Sequence, residues 1–260
     1  MSQTTGFFTD STLCIGCKAC EVACKEWNGL AEDGLDWTGF SYDNTAAVGH
    51  STWRHVKFVE NDTIAGLGGN SALQPGWEFS SDVCKHCEVA GCLEACPTGS
   101  IVRTEFGGVF VQPDVCNGCA YCVTACPFGV VQKNQKDGRA FKCTFCADRQ
   151  KAGLKPACAS VCPTESIKFG ELNELRGDAQ VRLEELRSKG IEDAEIYDPQ
   201  HTSVKGVHAF FLVRGNPKSY NLPPNPEVPT TYLKDGWRSA AIGSAMFVAA
   251  ALFAFLGGKQ

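Results

Sequence analysis

The stretch that decides the reading is Cys84–Cys126, CKHCEVAGCLEACPTGSIVRTEFGGVFVQPDVCNGCAYCVTAC. It holds two four-cysteine runs back to back. Cys84, Cys87, Cys92 and Cys96 give C-x2-C-x4-C-x3-C, closed by Pro97. Cys116, Cys119, Cys122 and Cys126 give C-x2-C-x2-C-x3-C, closed by Pro127. Two further runs flank this centre. Cys14, Cys17, Cys20 and Cys24 repeat C-x2-C-x2-C-x3-C, and Cys143, Cys146, Cys158 and Cys162 give C-x2-C-x11-C-x3-C before Pro163. These four runs use all sixteen cysteines.

The C-x2-C-x2-C-x3-C-P spacing is that of bacterial ferredoxins, in which three cysteines grip one [4Fe–4S] cluster and the fourth reaches the neighbouring one. Sixteen thiolates make four sites of four ligands each, so four [4Fe–4S] clusters are expected. Disulfides are the first rival. Against them, Met1–Leu13 has neither a basic n-region nor an apolar h-region, so no secretory leader is expected. Zinc is the second rival, because paired C-x2-C motifs also bind it. The last run, with its long gap, would pass for a zinc site alone; the C-x2-C-x2-C triplets would not.

The 260 residues carry a formal net charge of −5, so nucleic acid is not an expected partner. At 43% apolar residues the composition is that of a folded chain. Yet between Cys14 and Cys162 the apolar stretches are short and broken by Gly, Pro and Cys. Such a chain struggles to bury enough surface unaided, so the clusters are expected to contribute to folding.

Around the runs the local pattern is readable. Thr12-Leu13 and Ile15 suggest a short strand entering the first ligand loop, and Cys20–Trp27 has helical composition. Residues 29–82 form an insertion without cysteine. Within it Trp53–Glu60 reads as a strand, and Trp37, Phe40, Trp53, Trp77 and Phe79 read as packing aromatics. Ile101–Arg103 and Val109–Val111, joined across Gly107-Gly108, read as a hairpin. Val130-Val131 reads as a return strand and Lys133–Arg139 as a polar connector. Ile167–Phe169 and His208–Val213 read as strands, Glu171–Lys189 as a polar surface helix ending at Gly190, and Pro217–Pro229 as an extended linker.

Four runs make two dicluster modules, paired either in order or with the middle pair nested inside the outer pair. The short, hairpin-bridged separation of the second and third runs favours nesting. The fold class expected is α+β, with two pseudo-symmetric bacterial-ferredoxin-like dicluster modules and inserted loops. Residues 1–28 and 133–170 would form the outer module, 83–132 the inner module, and 171–238 a C-terminal extension.

Residues 239–258, SAAIGSAMFVAAALFAFLGG, are twenty residues without a charge. At 1.5 Å per residue they cover about 30 Å, the thickness of a bilayer's hydrocarbon core, so a single transmembrane helix is expected. Trp237, Arg238 and Lys259 flank it, and Ala241, Ala245 and Ala249 give it one small-residue face. It contains no histidine that could ligate a haem.

No catalytic machinery is legible. G-L-G-G at Gly66–Gly69 lacks the strand–helix context of a nucleotide loop. His50, His55, His201 and His208 are isolated, while His86, inside a C-x2-C turn, is a candidate to tune a cluster through its ring N–H. Lys18, Lys25, Lys85 and Lys142 lie beside ligands and read as local cations. A cluster with four cysteine ligands has no open site and passes one electron at a time; four together make a wire.

The four-run pattern over about residues 8–170 resembles the four-cluster electron-transfer subunits of molybdopterin oxidoreductases. The finer match is to the beta subunit of respiratory formate dehydrogenase, carried by CIGCKACEVACKEWN (Cys14–Asn28), CKHCEVAGCLEACPTGSI (Cys84–Ile101), CNGCAYCVTACPFGV (Cys116–Val130) and KCTFCADRQKAGLKPACASVCPTESIKFG (Lys142–Gly170). The resemblance implies that Cys14, Cys17, Cys20 and Cys162 hold one cluster and Cys24, Cys143, Cys146 and Cys158 its partner. It implies that Cys84, Cys87, Cys92 and Cys126 hold a third, and Cys96, Cys116, Cys119 and Cys122 a fourth. With cysteine at every position, no three-iron cluster is expected.

The same resemblance implies a non-catalytic relay. Its partners would be a molybdopterin alpha subunit, with molybdenum or tungsten, facing the outer module, and a membrane gamma subunit, cytochrome b or haem-free and quinone-reactive, facing the inner one. It also implies a place in a bacterial cell membrane, with the iron–sulfur part extracytoplasmic. The alternative partner enzyme is a sulfur- or nitrogen-compound reductase or a hydrogenase.

Overall fold

In a computed structural model, residues 4–32, 37, 39, 43, 45, 47–61 and 76–257 are described. The strands are β1 (Thr5–Asp10), β2 (Arg54–Asn61), β3 (Gly76–Val83), β4 (Ile101–Arg103), β5 (Val109–Val111), β6 (Gln132–Lys133), β7 (Ala140–Phe141), β8 (Ile167–Glu171), β9 (Ala194–Tyr197) and β10 (Ala209–Arg214). The helices are α1 (Ala19–Asn28), α2 (Gly91–Glu94), α3 (Tyr121–Thr124), α4 (Ala147–Lys151), α5 (Ala157–Ser160), α6 (Leu172–Ser188) and α7 (Leu233–Gly257).

β10 (AFFLVR) carries an unbroken apolar run and β1 (TGFFTD) the pair Phe7-Phe8, and both are buried on both faces, as the inner strands of a covered sheet must be. They pair in parallel, Phe7 opposite Ala209 and Phe8 opposite Phe210. β8 and β9 pair antiparallel at the flanks, giving the order β8-β1-β10-β9. α6 covers this sheet with Leu172, Leu175, Ala179, Leu183 and Leu186, one face of a helix. Burial of each leucine contributes about 1.5–3 kcal/mol. Glu171 caps α6 by accepting the Glu174 N–H at 2.8 Å.

This scaffold sets the first ligand run. Asp10 ends β1 and accepts the Thr12 N–H at 2.9 Å, curling Ser11–Leu13 into a 3₁₀ turn, while Arg182 of α6 holds the same carboxylate at 3.0 Å. The strand expected around Thr12–Ile15 is therefore displaced to Thr5–Asp10, because the Asp10 side chain competes for the backbone there. α1 starts where expected and packs on α5. The β4–β5 hairpin forms as expected, and β2 and β3 form a second hairpin, Arg54 opposite Val83.

Two further expectations are corrected. Val130 and Val131 are buried but unpaired as strand; the pairing falls one step later, Gln132 with Phe141 and Lys133 with Ala140. Residues 217–229 are no free linker, since Tyr220, Leu222 and Val228 are fully buried and the Tyr220 hydroxyl donates to Arg214 O at 2.9 Å. Phe40 and Gly66–Gly69 lie outside the described residues. Pro229–Leu256 is the one helical stretch among the described residues long and apolar enough to cross a membrane, and none of its apolar window is buried.

Candidate metal centre

The four C-x2-C turns share one backbone shape. Their third position is left-handed in every run: Gly16 at φ 67°, His86 at 47°, Gly118 at 75° and Phe145 at 63°. That bend turns successive N–H groups to one side and makes a concavity for negative charge. Lys18 at φ 59° and Ala120 at 65° repeat a second left-handed step, from which α1 and α3 begin. The first and third runs are thus backbone copies of each other. The second and fourth runs place rings where the others place glycine, at a cost of about 1–2 kcal/mol each. Those rings meet: His86 and Phe145 stand 4.4 Å apart, both buried, joining the second run to the fourth.

The cysteines come together across runs. Cys14 feels the charge of Cys162 and then Cys17. Cys24 feels Cys158 and Cys146 before Cys20 of its own run. Cys87 feels Cys84, Cys126 and Cys92, and these four line a single cavity. Cys122 feels Cys116, Cys119 and Cys96. Neighbouring groups also touch electrostatically, Cys20 with Cys158 and Cys143 with Cys84. Cys17 and Cys119 are the exposed cysteines.

Burial pushes most of these thiols up, Cys20 and Cys92 to about 12 and Cys122 and Cys146 to about 11. Cys96 goes the other way, to about 7: desolvation alone would raise it, but hydrogen bonds from the Ser100 and Thr98 hydroxyls and the Ile101 and Thr98 backbone together outweigh that. Buried thiols gathered in fours ionise only when cationic metal compensates them. The donor set therefore fits iron–sulfur clusters, and so do the buried donors around it.

Lys142 is fully buried and donates to Cys84 Sγ and Cys143 O, both at 3.2 Å, and to Val109 O. Lys85 is fully buried and pairs with Asp82. His86 Nδ1 accepts the Val109 N–H at 3.0 Å, which leaves the proton on Nε2 without a protein acceptor. Burial, with Lys142 next, holds this imidazole well below the usual histidine range, hence neutral. Lys18 and Lys25 are engaged elsewhere, with Asp43 and with Ser51 O. Of the isolated histidines, His55 binds Asp43 at 2.8 Å, and His208 binds Thr5 O and Glu88 at 3.0 Å. Both are structural.

Sequence reasoning missed Arg54. It lies on β2, inside the insertion and far along the chain from any cysteine, so no spacing signals it. The fold carries it to the outer ligands, where its guanidinium feels Cys158, Cys20, Cys143 and Cys24.

Comparison with known proteins places the cysteines in a family context. The 4Fe-4S dicluster domain family matches twice, over residues 13–100 and 75–172. The chain is 38% identical over 255 residues to the formate dehydrogenase-O iron-sulfur subunit of Escherichia coli, covering 95% of this chain and 81% of that one. It is 39% identical over 223 residues to the formate dehydrogenase iron-sulfur subunit of Haemophilus influenzae, covering 84% and 68%. The thiosulfate reductase electron transfer subunit of Salmonella typhi is 43% identical over 189 residues, covering 70% and 86%.

Proposed function

The chain belongs to the family of formate dehydrogenase iron–sulfur subunits, and from that premise we propose that it relays electrons from formate oxidation on a molybdopterin alpha subunit to a quinone-reactive or cytochrome b gamma subunit in the membrane. It is an electron-transfer subunit and not itself the catalyst. Four [4Fe–4S] clusters bound to the chain would each take up and return one electron.

The observation that carries this reading is the proximity of cysteines from different runs, which the following assignment explains. Cys14, Cys17, Cys20 and Cys162 form the first ligand set, and Cys24, Cys143, Cys146 and Cys158 the second. Cys84, Cys87, Cys92 and Cys126 form the third, and Cys96, Cys116, Cys119 and Cys122 the fourth. The proximity of Cys24 to Cys158 and of Cys122 to Cys96 supports this assignment. So does the shared cavity of the third set. The electrostatic proximity of Cys20 to Cys158 and of Cys143 to Cys84 supports reading the first three sets as successive stations. The exposed ligands Cys17 and Cys119 fall in the first and fourth sets, at the two ends.

The root of α7 supports the direction. Thr230 hydrogen-bonds Glu94, and Val228 packs within 3.3 Å of where a side chain on Gly91 would stand. Both partners belong to α2, which carries Cys92. The proposed membrane helix is therefore rooted on the module of the third and fourth sets. The outer module, residues 1–28 and 133–170, would face the alpha subunit, and the inner module, 83–132, the membrane. Placement of the iron–sulfur part outside the cytoplasm rests on the family resemblance.

A second reading, the same relay serving a sulfur-compound reductase, is favoured by the 43% identity to the thiosulfate reductase subunit. Formate added anaerobically to the purified complex decides between them. The proposal expects the cluster signals of the chain to appear on formate addition. Signals that appear with dithionite but never with formate would reject formate as the electron source.

A further inference from the structure

We propose that Arg54 is a positioning residue shared by the two outer clusters: its buried guanidinium stands between their ligand sets and, through its charge and two free N–H donors, raises the potential of both. This rests on the ligand sharing proposed above.

Arg54 opens β2 and has 1% of its surface exposed. Nη1 donates to Ser81 Oγ at 3.0 Å and Ser81 O at 3.3 Å, and the guanidinium lies 4.9 Å over the Phe7 ring. Ser81 Oγ is itself 3.2 Å from Cys20 Sγ. The β2–β3 hairpin thus clamps one edge of the guanidinium and aims the rest. On the remaining edge, Nε and Nη2 have no hydrogen-bond partner. Among the described residues no ion pair includes Arg54. A buried arginine with two idle donors and no carboxylate is a costly arrangement unless another anion faces it.

The groups around it supply that anion. The sulfurs that act on Arg54 belong to both outer sets, Cys20 to the first and Cys24, Cys143 and Cys158 to the second. Cys20 and Cys24 feel the guanidinium in return. A planar fork with several donors can address two neighbouring sulfur-rich groups at once, where a lysine presents a point charge.

The sign of the effect follows from charge. One-electron reduction adds a negative charge to a cluster, and a fixed cation stabilises the reduced form. Hydrogen bonds to cluster sulfur act in the same direction. One cation between two clusters therefore lifts both together and keeps the first electron step level. Arginine does not deprotonate in proteins, so the lift is independent of pH.

The test is a redox titration of the purified complex, followed by EPR, with Arg54→Gln and Arg54→Lys beside the unaltered protein. Arg54→Gln is expected to move two of the chain's four signals to lower potential and leave the other two in place. Arg54→Lys is expected to keep most of the potential. Two outer signals that stay put in Arg54→Gln, or four that shift alike, would overturn the proposal. Should Arg54→Gln fail to load, ¹⁵N-arginine labelling of the unaltered complex decides. A ¹⁵N coupling on the reduced clusters that disappears in Arg54→Lys is expected; no coupling, or one that survives the substitution, overturns the role. Fewer than four cluster signals in the unaltered complex would instead reject the four-cluster reading itself.

Discussion

Lys142 puts a full positive charge beside Cys84, a ligand proposed for the third set, and directly before Cys143, proposed for the second. Replacing it with methionine keeps the stem and removes the charge. Lys142→Met should lower the potential of the cluster ligated by Cys84, read by the same EPR titration; an unchanged potential would show that the ammonium is merely structural. Phe145 makes a different residue-scale prediction. It is fully buried and packs on Phe7 at 5.2 Å and on His86 at 4.4 Å, at the joint between the second and fourth runs. Phe145→Ala should cost about 3–5 kcal/mol, measured by chemical denaturation of the cluster-loaded protein. The four C-x2-C turns were legible in the sequence at this scale, because the spacing of cysteines along one turn is fixed covalently. The cations were only partly legible. Lys85 and Lys142 announced themselves as neighbours of cysteine, though nothing in the sequence distinguished them from the more exposed Lys18. Arg54 was invisible, since only the pairing of β2 with β3 delivers it.

At the scale of elements, β10 is the piece that ties the distant C-terminal part to the start of the chain. It pairs in parallel with β1 and is buried over Ala209–Val213. A chain truncated before Ala209 loses β10 from the middle of the main sheet, leaves β9 without its partner and uncovers Phe7 and Phe8. It should fail to load clusters, judged by its visible absorption. A chain truncated after Tyr232 loses only the unburied α7 and should be soluble without detergent and fully loaded. Insolubility of that second truncation would contradict a separable membrane helix. The sequence marked most of these elements by composition: α1, α6, α7, the β4–β5 hairpin and β10 all lie within a few residues of expectation. It did not reveal β1, because Asp10 shifts the strand away from the ligand loop, nor that residues 217–229 would pack down through Tyr220, Leu222 and Val228. Such features depend on partners far away in the chain, and local pattern carries no trace of them.

For the molecule as a whole, burial and charge make one demand together. Cys20, Cys24, Cys84, Cys92, Cys122, Cys143, Cys146 and Cys158 are all buried, and so are Arg54, Lys85 and Lys142. Without iron, Arg54 and Lys142 would face neutral thiols, and the cavity lined by Cys84, Cys87, Cys92 and Cys126 would have no content to hold its walls. Iron removal should therefore unfold the chain, seen as loss of cooperative thermal unfolding by circular dichroism; a cooperative native-like transition after complete removal would contradict this. The symmetry of the ligand turns, Gly16 and Lys18 repeated by Gly118 and Ala120, argues that the first and third runs are equivalent halves of two modules. The proposed wire requires that every run be filled. The most direct test is a count of iron, acid-labile sulfide and zinc in the purified full-length chain. Four [4Fe–4S] clusters predict about sixteen iron and about sixteen sulfide per chain with no zinc; half that iron, or zinc in its place, would contradict a four-station relay.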